Sequence, residues 1–271
     1  MLDEIARYNK ERWEALAQAG VAYSRPFLDL DEAAARKVVD AAGLLGDLHG
    51  ANVLCLAGGG GQQSAAFALL GSNVTVLDLS ETQLERDRLA ASHYGHSIVT
   101  EQGDMRDLSR FADNAFDMVW HAHSINFVPQ VEPVFAGVAR ILRAGGHYHL
   151  SFHNPLSHGI DETKWTGNGY PISEPYINGA EIDQDRLFAV PEWTFDDEQG
   201  NPQRIRGPRE FRHTLGAIIN GLVSRGLMIV RFEEETSSAL APEPGSWEHF
   251  LQVIVPYMNL WAVKQKSLNQ I

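Results

Sequence analysis

Four glycines in a row, Gly58 to Gly61, follow the apolar run Val53-Leu54-Cys55-Leu56-Ala57 and precede two amides, Gln62 and Gln63. Glycine has no Cβ, so a turn built from it lets a ligand or another backbone approach the main chain closely. A buried strand turning sharply into a helix aims backbone N–H groups, and the positive end of the helix dipole, at the carboxyl edge of a sheet. A merely structural turn is the plainer reading; four glycines after a first buried strand favour a ligand. Asp78 ends the next apolar run, VTVLD, 17 residues after Gly61. A carboxylate at that strand end accepts both hydroxyls of a ribose. The plainer reading is a helix cap or a surface acid, and the position beside the glycine turn favours the sugar. A third element, Gly103-Asp104-Met105, offers a carboxylate for an adenine amino group and an apolar side chain to lie on the ring. An Asp in a loop says little alone; in this order the three describe a nucleoside site.

The elements that must position these residues alternate along the chain. Ile5, Tyr8, Trp13, Leu16 and Ala17 among charges predict an amphipathic helix over 3–19, and a second follows over 31–45. A short apolar run at 52–57 predicts a strand buried on both faces. A helix at 62–70 and a strand at 74–78 come next. Ser80 and Gln83 form a capping box that opens a helix running to about Tyr94. Strands at 97–100, 116–121 and 147–152, with a helix over 131–142 stopped by Arg143-Ala144-Gly145-Gly146, complete a βαβ pattern. That alternation predicts a doubly wound α/β fold with a mostly parallel sheet and helices on both faces. Residues 153–208 lose the period yet keep Trp165, Tyr170, Tyr176, Phe188, Trp193 and Phe195, so a folded insertion with short strands is expected. A helix over 209–225, a strand over 227–234 and a last strand near 257–265 follow; the apolar FLQVIVPYMNLWAV reads as a buried strand or turn region. The expected organisation is an N-terminal helical segment or lid (1–46), a ligand-binding core (47–152), a substrate-side insertion (153–208) and a C-terminal helix and hairpin completing the core (209–271).

Composition narrows the partners. The formal net charge is −13, and only RIRGPREFR (204–212) is locally positive, so a nucleic-acid partner is not expected. The single cysteine, Cys55, excludes an internal disulfide. No secretory signal and no membrane span is read, and a cytoplasmic protein, monomer or homodimer, is expected.

In this order the motifs resemble those of the class I S-adenosylmethionine-dependent methyltransferases. VLCLAGGGG is similar to their first motif, VLDLGCGTG; VTVLDLS to the acidic second-strand motif; EQGDMRDL to the adenine loop. FADNAFDMVWHAHSINFVPQVEPVFAGVARILRAGGHYHLSF is similar to their fourth-to-fifth-strand region. The likeness covers roughly residues 50–152 and implies a seven-stranded Rossmann-like sheet, mostly parallel with an antiparallel last strand. Two positions depart from the motif: Cys55 stands where the family has an acid, and Ala57 where it has its first glycine. The acid helps hold the methionine amino group, so main-chain carbonyls or water must serve here.

The resemblance implies S-adenosyl-L-methionine as cofactor, with S-adenosyl-L-homocysteine as product. It places Ala57, Gly58, Gly59, Gly61, Gln62, Asp78, Leu79, Gln83, Asp104, Met105 and His121 at the cofactor. The implied reaction is in-line methyl transfer to a small-molecule acceptor. His121 and His123, after the fourth strand, are the candidate catalytic groups, because an unperturbed imidazole titrates near neutrality. Strand-end histidines more often only fill space and hydrogen-bond. Trp13, Tyr23 and His153 are the expected substrate or lid residues, with Phe27, Asn126 and Phe127 near the same mouth. Arg12 is a candidate partner for a carboxylate, and Pro244–His249 a second pocket wall. No metal is expected, since the histidines show no spacing with Cys or acids that suggests a ligand set. A tRNA-modifying methyltransferase, a non-catalytic donor-binding protein and a Rossmann dehydrogenase are the competing readings. Gly59-x-Gly61-x-x-Ser64 matches the dehydrogenase fingerprint imperfectly.

Overall fold

The computed structural model describes residues 2–266. The alternation read from the sequence folds into a seven-stranded sheet with the order β3-β2-β1-β4-β5-β9-β8. Its parallel part comprises β1 (Asn52–Leu56), β2 (Asn73–Asp78), β3 (Val99–Gln102), β4 (Phe116–His121) and β5 (Leu142–His153). The last strand, β9 (Tyr257–Lys264), lies antiparallel between β5 and β8 (Leu227–Glu234). In the insertion, the short helix α6 (Gln184–Leu187) is followed by an antiparallel hairpin of β6 (Glu192–Asp196) and β7 (Pro202–Arg206).

Helices cover both faces because the inner strands bury both sets of side chains. On β1, Val53 and Cys55 join the core under α2 (Glu32–Asp40) and α3 (Gln63–Leu69). Leu54 and Leu56 face the opposite core, with α5 (Glu132–Ile141) and α7 (Leu215–Val223). Cys55 is thus a core side chain pointing into the α2–α3 layer. Among the described residues no helix is long and apolar enough to cross a membrane.

Several boundaries move for local reasons. α2 ends at Asp40, short of residue 45, because the Asp40 carboxylate accepts from Leu44 and Leu45 N–H and closes the helix end. β3 starts two residues later than expected. The helix expected over 209–225 begins at Leu215, where Thr214 caps it. Residues just before it run extended, with Phe211 bridged to Glu181. In the C-terminal apolar run, Ser246 caps α8 (Trp247–Val253) before Pro256 and β9 follow.

Two ties position the ligand-bearing end of the sheet. α1 (Glu4–Gln18) lies against α4 (Glu81–His93), and Glu14 accepts from Glu81 N–H and the Thr82 hydroxyl at the start of α4. Beneath the glycine turn, Asp87 of α4 is fully buried. One carboxylate oxygen accepts from Gly60 N–H at 3.0 Å; the other accepts from Gly61 N–H at 2.9 Å and from the Ser64 hydroxyl. A Cβ on Gly61 would stand 2.6 Å from the Arg86 carbonyl and 2.9 Å from Ala90, so α4 presses directly on the turn. Asp87→Ala strands three buried donors, each costing about 1–3 kcal/mol when unmade. Urea unfolding is therefore expected to show a loss of about 3 kcal/mol or more, the sum of those terms; a loss below about 1 kcal/mol, less than one unmade bond, would show that the turn holds its shape without this clamp.

Candidate active site

The carboxyl edge of β1, β2, β4 and β5 opens into one cavity of about 1020 Å³, roofed by α1 and by the insertion. The β1–β2 half holds the nucleoside candidates. Ala57, Gly58, Gly59, Asp78, Leu79 and Gln83 all line it, joined by Gln62, Asp104 and Met105. Gly61 does not: it is packed under α4, and the room a side chain would need there is taken by Arg86 and Ala90. Gly59 is tight for a similar reason, since a Cβ there would meet Gln83 Cβ at 2.6 Å and the Asp78 carboxyl at 3.1 Å. Gly58 meets nothing closer than 3.8 Å and leaves open wall. Ala57 adopts a left-handed φ of 46°, which costs a non-glycine residue roughly 1–2 kcal/mol.

Asp78 is positioned by two backbone donors. Its Oδ2 accepts from Gly59 N–H at 3.0 Å and its Oδ1 from Ser80 N–H at 2.9 Å. Each oxygen keeps a lone pair for a further donor. Burial raises its pKa to about 6, against the pull of those N–H groups. Next to it, Gln83 Oε1 is buried with no hydrogen-bond partner. An unpaired buried acceptor beside a carboxylate and a glycine-lined wall fits the two hydroxyls of a ribose, and Leu79 and Met105 supply apolar faces for the base. These residues therefore fit S-adenosylmethionine. Asp104 carries a guanidinium already: Arg106 grips it and reaches on to Asp3, the N-cap of α1, at 2.7 Å. Gln62 spends its amide N–H groups on the Ala22 and Arg25 carbonyls, which pins the N-terminal segment over the turn.

The β4–β5 half differs from expectation at one candidate. His121 is fully buried, lies outside the cavity wall, and places Nδ1 2.8 Å from the Tyr148 hydroxyl. Burial pushes its pKa down to about 3, so it is a neutral core residue. This removes it from both the catalytic and the cofactor-binding roles expected for it. His123 does line the cavity. Its φ of 45° turns the chain after β4, its N–H donates to Ser151 Oγ, and its Nε2 stands 3.7 Å from Glu235 Oε1. Burial lowers its pKa and Glu235 opposes the shift. A neutral imidazole backed by a carboxylate is a competent proton acceptor. His153, at the end of β5, also lines the cavity.

The roof residues meet as follows. Trp13 packs edge-on against Phe127 at 5.2 Å and against Trp193 at 5.7 Å, joining α1 to the insertion hairpin; Tyr23 adds a ring at 5.9 Å from Trp193. Tyr23 is nevertheless 62% exposed, so it forms the rim. Phe27 and Asn126 line the same cavity. Arg12 does not; its guanidinium lies over the Tyr8 ring. Pro244–His249 form no part of the wall: His249 packs with Trp165, and Trp247 with Phe250, in a satellite cluster. Of the four arginines in the locally positive run, Arg206 pairs with Asp185 and Arg209 with Glu181, and Arg212 donates to the Pro175 and His158 carbonyls, which leaves only Arg204 without such a partner among the described residues.

Sequence reasoning missed Asp87, Asn9, Arg106, Glu210 and Glu235. Asp87 had a signal, an acid on the buried stripe of α4 between Leu84 and Ala91. Asn9 likewise sits on the buried face of α1, where its amide holds the Phe127 and Arg209 carbonyls. Glu210 and Glu235 had none, since each meets its partners through chain folding alone.

Comparison with known proteins agrees with this geometry. Residues 54–150 match the family model described as methyltransferase domain. The chain is 35% identical over 191 residues to an uncharacterized methyltransferase, YbaJ, of Bacillus subtilis, covering 69% of this chain and 70% of that one. It is 32% identical over 113 residues to a ubiquinone biosynthesis O-methyltransferase of Dechloromonas aromatica, covering 41% of this chain and 49% of the relative. A solved S-adenosylmethionine dependent methyltransferase from Mesorhizobium loti shares the fold, with a TM-score of 0.61 at 22% identity over 88% of this chain and all of that one.

Binding of a ribose to Asp78 favours the ionised carboxyl, so binding releases a proton wherever the free group is protonated. Affinity for S-adenosylhomocysteine should be flat above pH 7 and fall below about pH 6, by up to about tenfold per pH unit. Titration calorimetry across pH 5–8 measures this, and Asp78→Asn should weaken binding throughout and remove the slope. A wild-type profile without that slope would separate the carboxyl from the ligand.

Proposed function

Because the chain belongs to the S-adenosylmethionine-dependent methyltransferases built on the methyltransferase domain, we propose that it methylates a small acceptor that is neutral or cationic and has a flat apolar body. S-adenosylmethionine supplies an electrophilic methyl carried on sulfur. Asp78 and Gln83 hold its ribose, Leu79 and Met105 flank its base, and Ala57 to Gly59 form the wall for its methionine end. The dehydrogenase reading falls with the family, and a donor-binding protein without activity falls with it. The tRNA reading has only the 204–212 run to rest on, where Arg206 and Arg209 are paired with acids.

The observation that carries the acceptor class is the charge and shape of the β4–β5 half. Trp13, Phe127, Phe188 and Trp193 supply aromatic walls. Asp161, Glu162, Glu192, Glu210 and Glu235 supply acids, while Arg106 is the one cation among the described lining residues and is shared by Asp3 and Asp104. A carboxylate or phosphate acceptor would enter this half without a cation to meet it and against like charge. A neutral or positively charged acceptor meets no such barrier, and the aromatic walls exclude water from the transfer. The Dechloromonas relative is by name an O-methyltransferase acting in ubiquinone biosynthesis, which favours a hydroxyl as the accepting group.

His123 is the side chain placed to take the acceptor's proton as its heteroatom attacks the methyl carbon in line with sulfur. Glu235 orients the ring and favours the imidazolium that results. The insertion and α1 bring Trp193 and Trp13 over the same space, so roof and base close on one volume.

A metabolite extract split by ion exchange into anionic and non-anionic fractions tests the acceptor class. A mass gain of one methylene unit, dependent on protein and donor, is expected in the non-anionic fraction. Products confined to the anionic fraction would overturn the class. With an acceptor in hand, His123→Ala should lower kcat by about 10²- to 10³-fold with donor affinity intact; an unchanged kcat would remove the proton from this residue's account.

A further inference from the structure

We propose that His153, His158 and Glu210 form a binding site for one divalent transition-metal ion at the acceptor end of the cavity. The three residues come from separate segments: the last residue of β5, the loop five residues on, and the extended stretch ahead of α7. One ligand atom from each lies within 4.8 Å of the other two. His158 Nε2 and Glu210 Oε2 are 2.9 Å apart. Two ligands bound about 2.1 Å from a common ion stand about 3.0–3.4 Å apart, so this pair already has nearly the separation that coordination requires. His153 offers the third ligand atom within the same 4.8 Å. Its ring faces the cavity, where its contacts are the rings of His158 at 4.5 Å and Tyr257 at 4.7 Å.

The charge balance asks for a cation. Glu210 is held deep in the wall by Gln184 Nε2 at 3.1 Å and by His158. Among the described residues no Lys or Arg pairs with it; the nearby Arg212 donates to the Pro175 and His158 carbonyls instead. The cluster thus gathers two imidazoles and a carboxylate with no Lys or Arg to balance it, and an uncompensated buried charge is costly. An ion at this point satisfies all three groups together. Gln184 acts on the outer oxygen of Glu210, as residues behind metal ligands commonly do.

Two imidazoles and one carboxylate suit zinc, cobalt, iron or manganese better than magnesium or calcium, which prefer all-oxygen surroundings. Three protein ligands leave at least one position open. Since His153 and Glu210 line the cavity, that position faces the acceptor and would take a neutral hydroxyl or amine, while Asp161, Glu162, Glu192 and Glu235 still oppose an anionic one. The site goes beyond methyl transfer itself, and its test needs neither donor nor acceptor, so the two readings stand or fall separately.

The test uses the untagged full chain, stripped with a chelator and titrated with Zn²⁺ by calorimetry and with Co²⁺ by visible absorption. One equivalent and a cobalt ligand-field band are expected. His153→Ala and Glu210→Gln should each weaken Zn²⁺ binding by about tenfold or more, with thermal melts run alongside to show that both variants fold. His153→Ala decides the matter if Glu210→Gln does not fold, because its ring faces open space. Absence of Zn²⁺ binding, or binding that survives His153→Ala, overturns the site and leaves the cluster as a hydrogen-bonding wall.

Discussion

The buried carboxylate of Asp87 is the constraint on which the donor half depends. It gathers the N–H groups of Gly60 and Gly61 with the Ser64 hydroxyl and so joins the glycine turn to α4. Gly59 N–H goes to Asp78. Three successive amides that a ligand might have used are thereby spent inside the protein. The glycines are required less by a ligand lying on the turn than by α4, Gln83 and the N-terminal segment lying against it. Only Gly58 leaves its side of the wall open. The turn's fixed shape then sets where Asp78 stands and which of its lone pairs remain.

Closure of the cavity follows a similar economy. α1 contributes no residue to the sheet, yet Asp3 meets Arg106 of the adenine loop, Asn9 holds two carbonyls of the roof, and Trp13 wedges between Phe127 and Trp193. One helix therefore touches the donor half, the acceptor half and the insertion. A change in any of these contacts is felt in the others, because the helix is rigid and its anchors lie on different walls.

The two halves differ in their chemistry. Backbone-supported hydrogen-bond acceptors dominate around Asp78. Aromatic rings and acids dominate around His123 and His153. The departure at Cys55 belongs with this division: its side chain lies in the α2–α3 core, so β1 adds no carboxylate to the wall beside Asp78.

The order of strands and helices, the glycine turn after β1 and the acid after β2 were legible in the chain because they rest on local rules. Apolar runs, capping boxes and a glycine string need only neighbours in sequence. The glycine-turn half was therefore readable in part: Ala57, Gly58, Gly59, Gln62, Asp78, Leu79, Gln83, Asp104 and Met105 share one cavity wall, while Gly61 packs under α4 and His121 turns into the core. The acceptor half was not. His121 and His123 are two apart and look equivalent, yet the first turns into the core beside Tyr148. The left-handed backbone at the second brings its ring to the cavity beside Glu235. His153 and Glu210 are 57 residues apart in the chain and meet only because the insertion folds back over the sheet. Sequence by itself determined the scaffold and which end of the sheet carries the glycine turn and the acid, since hydrogen-bond period and side-chain type act over a few residues. Tertiary structure alone decided which histidines and acids face the same space, since that depends on backbone turns and long-range packing that no local pattern records.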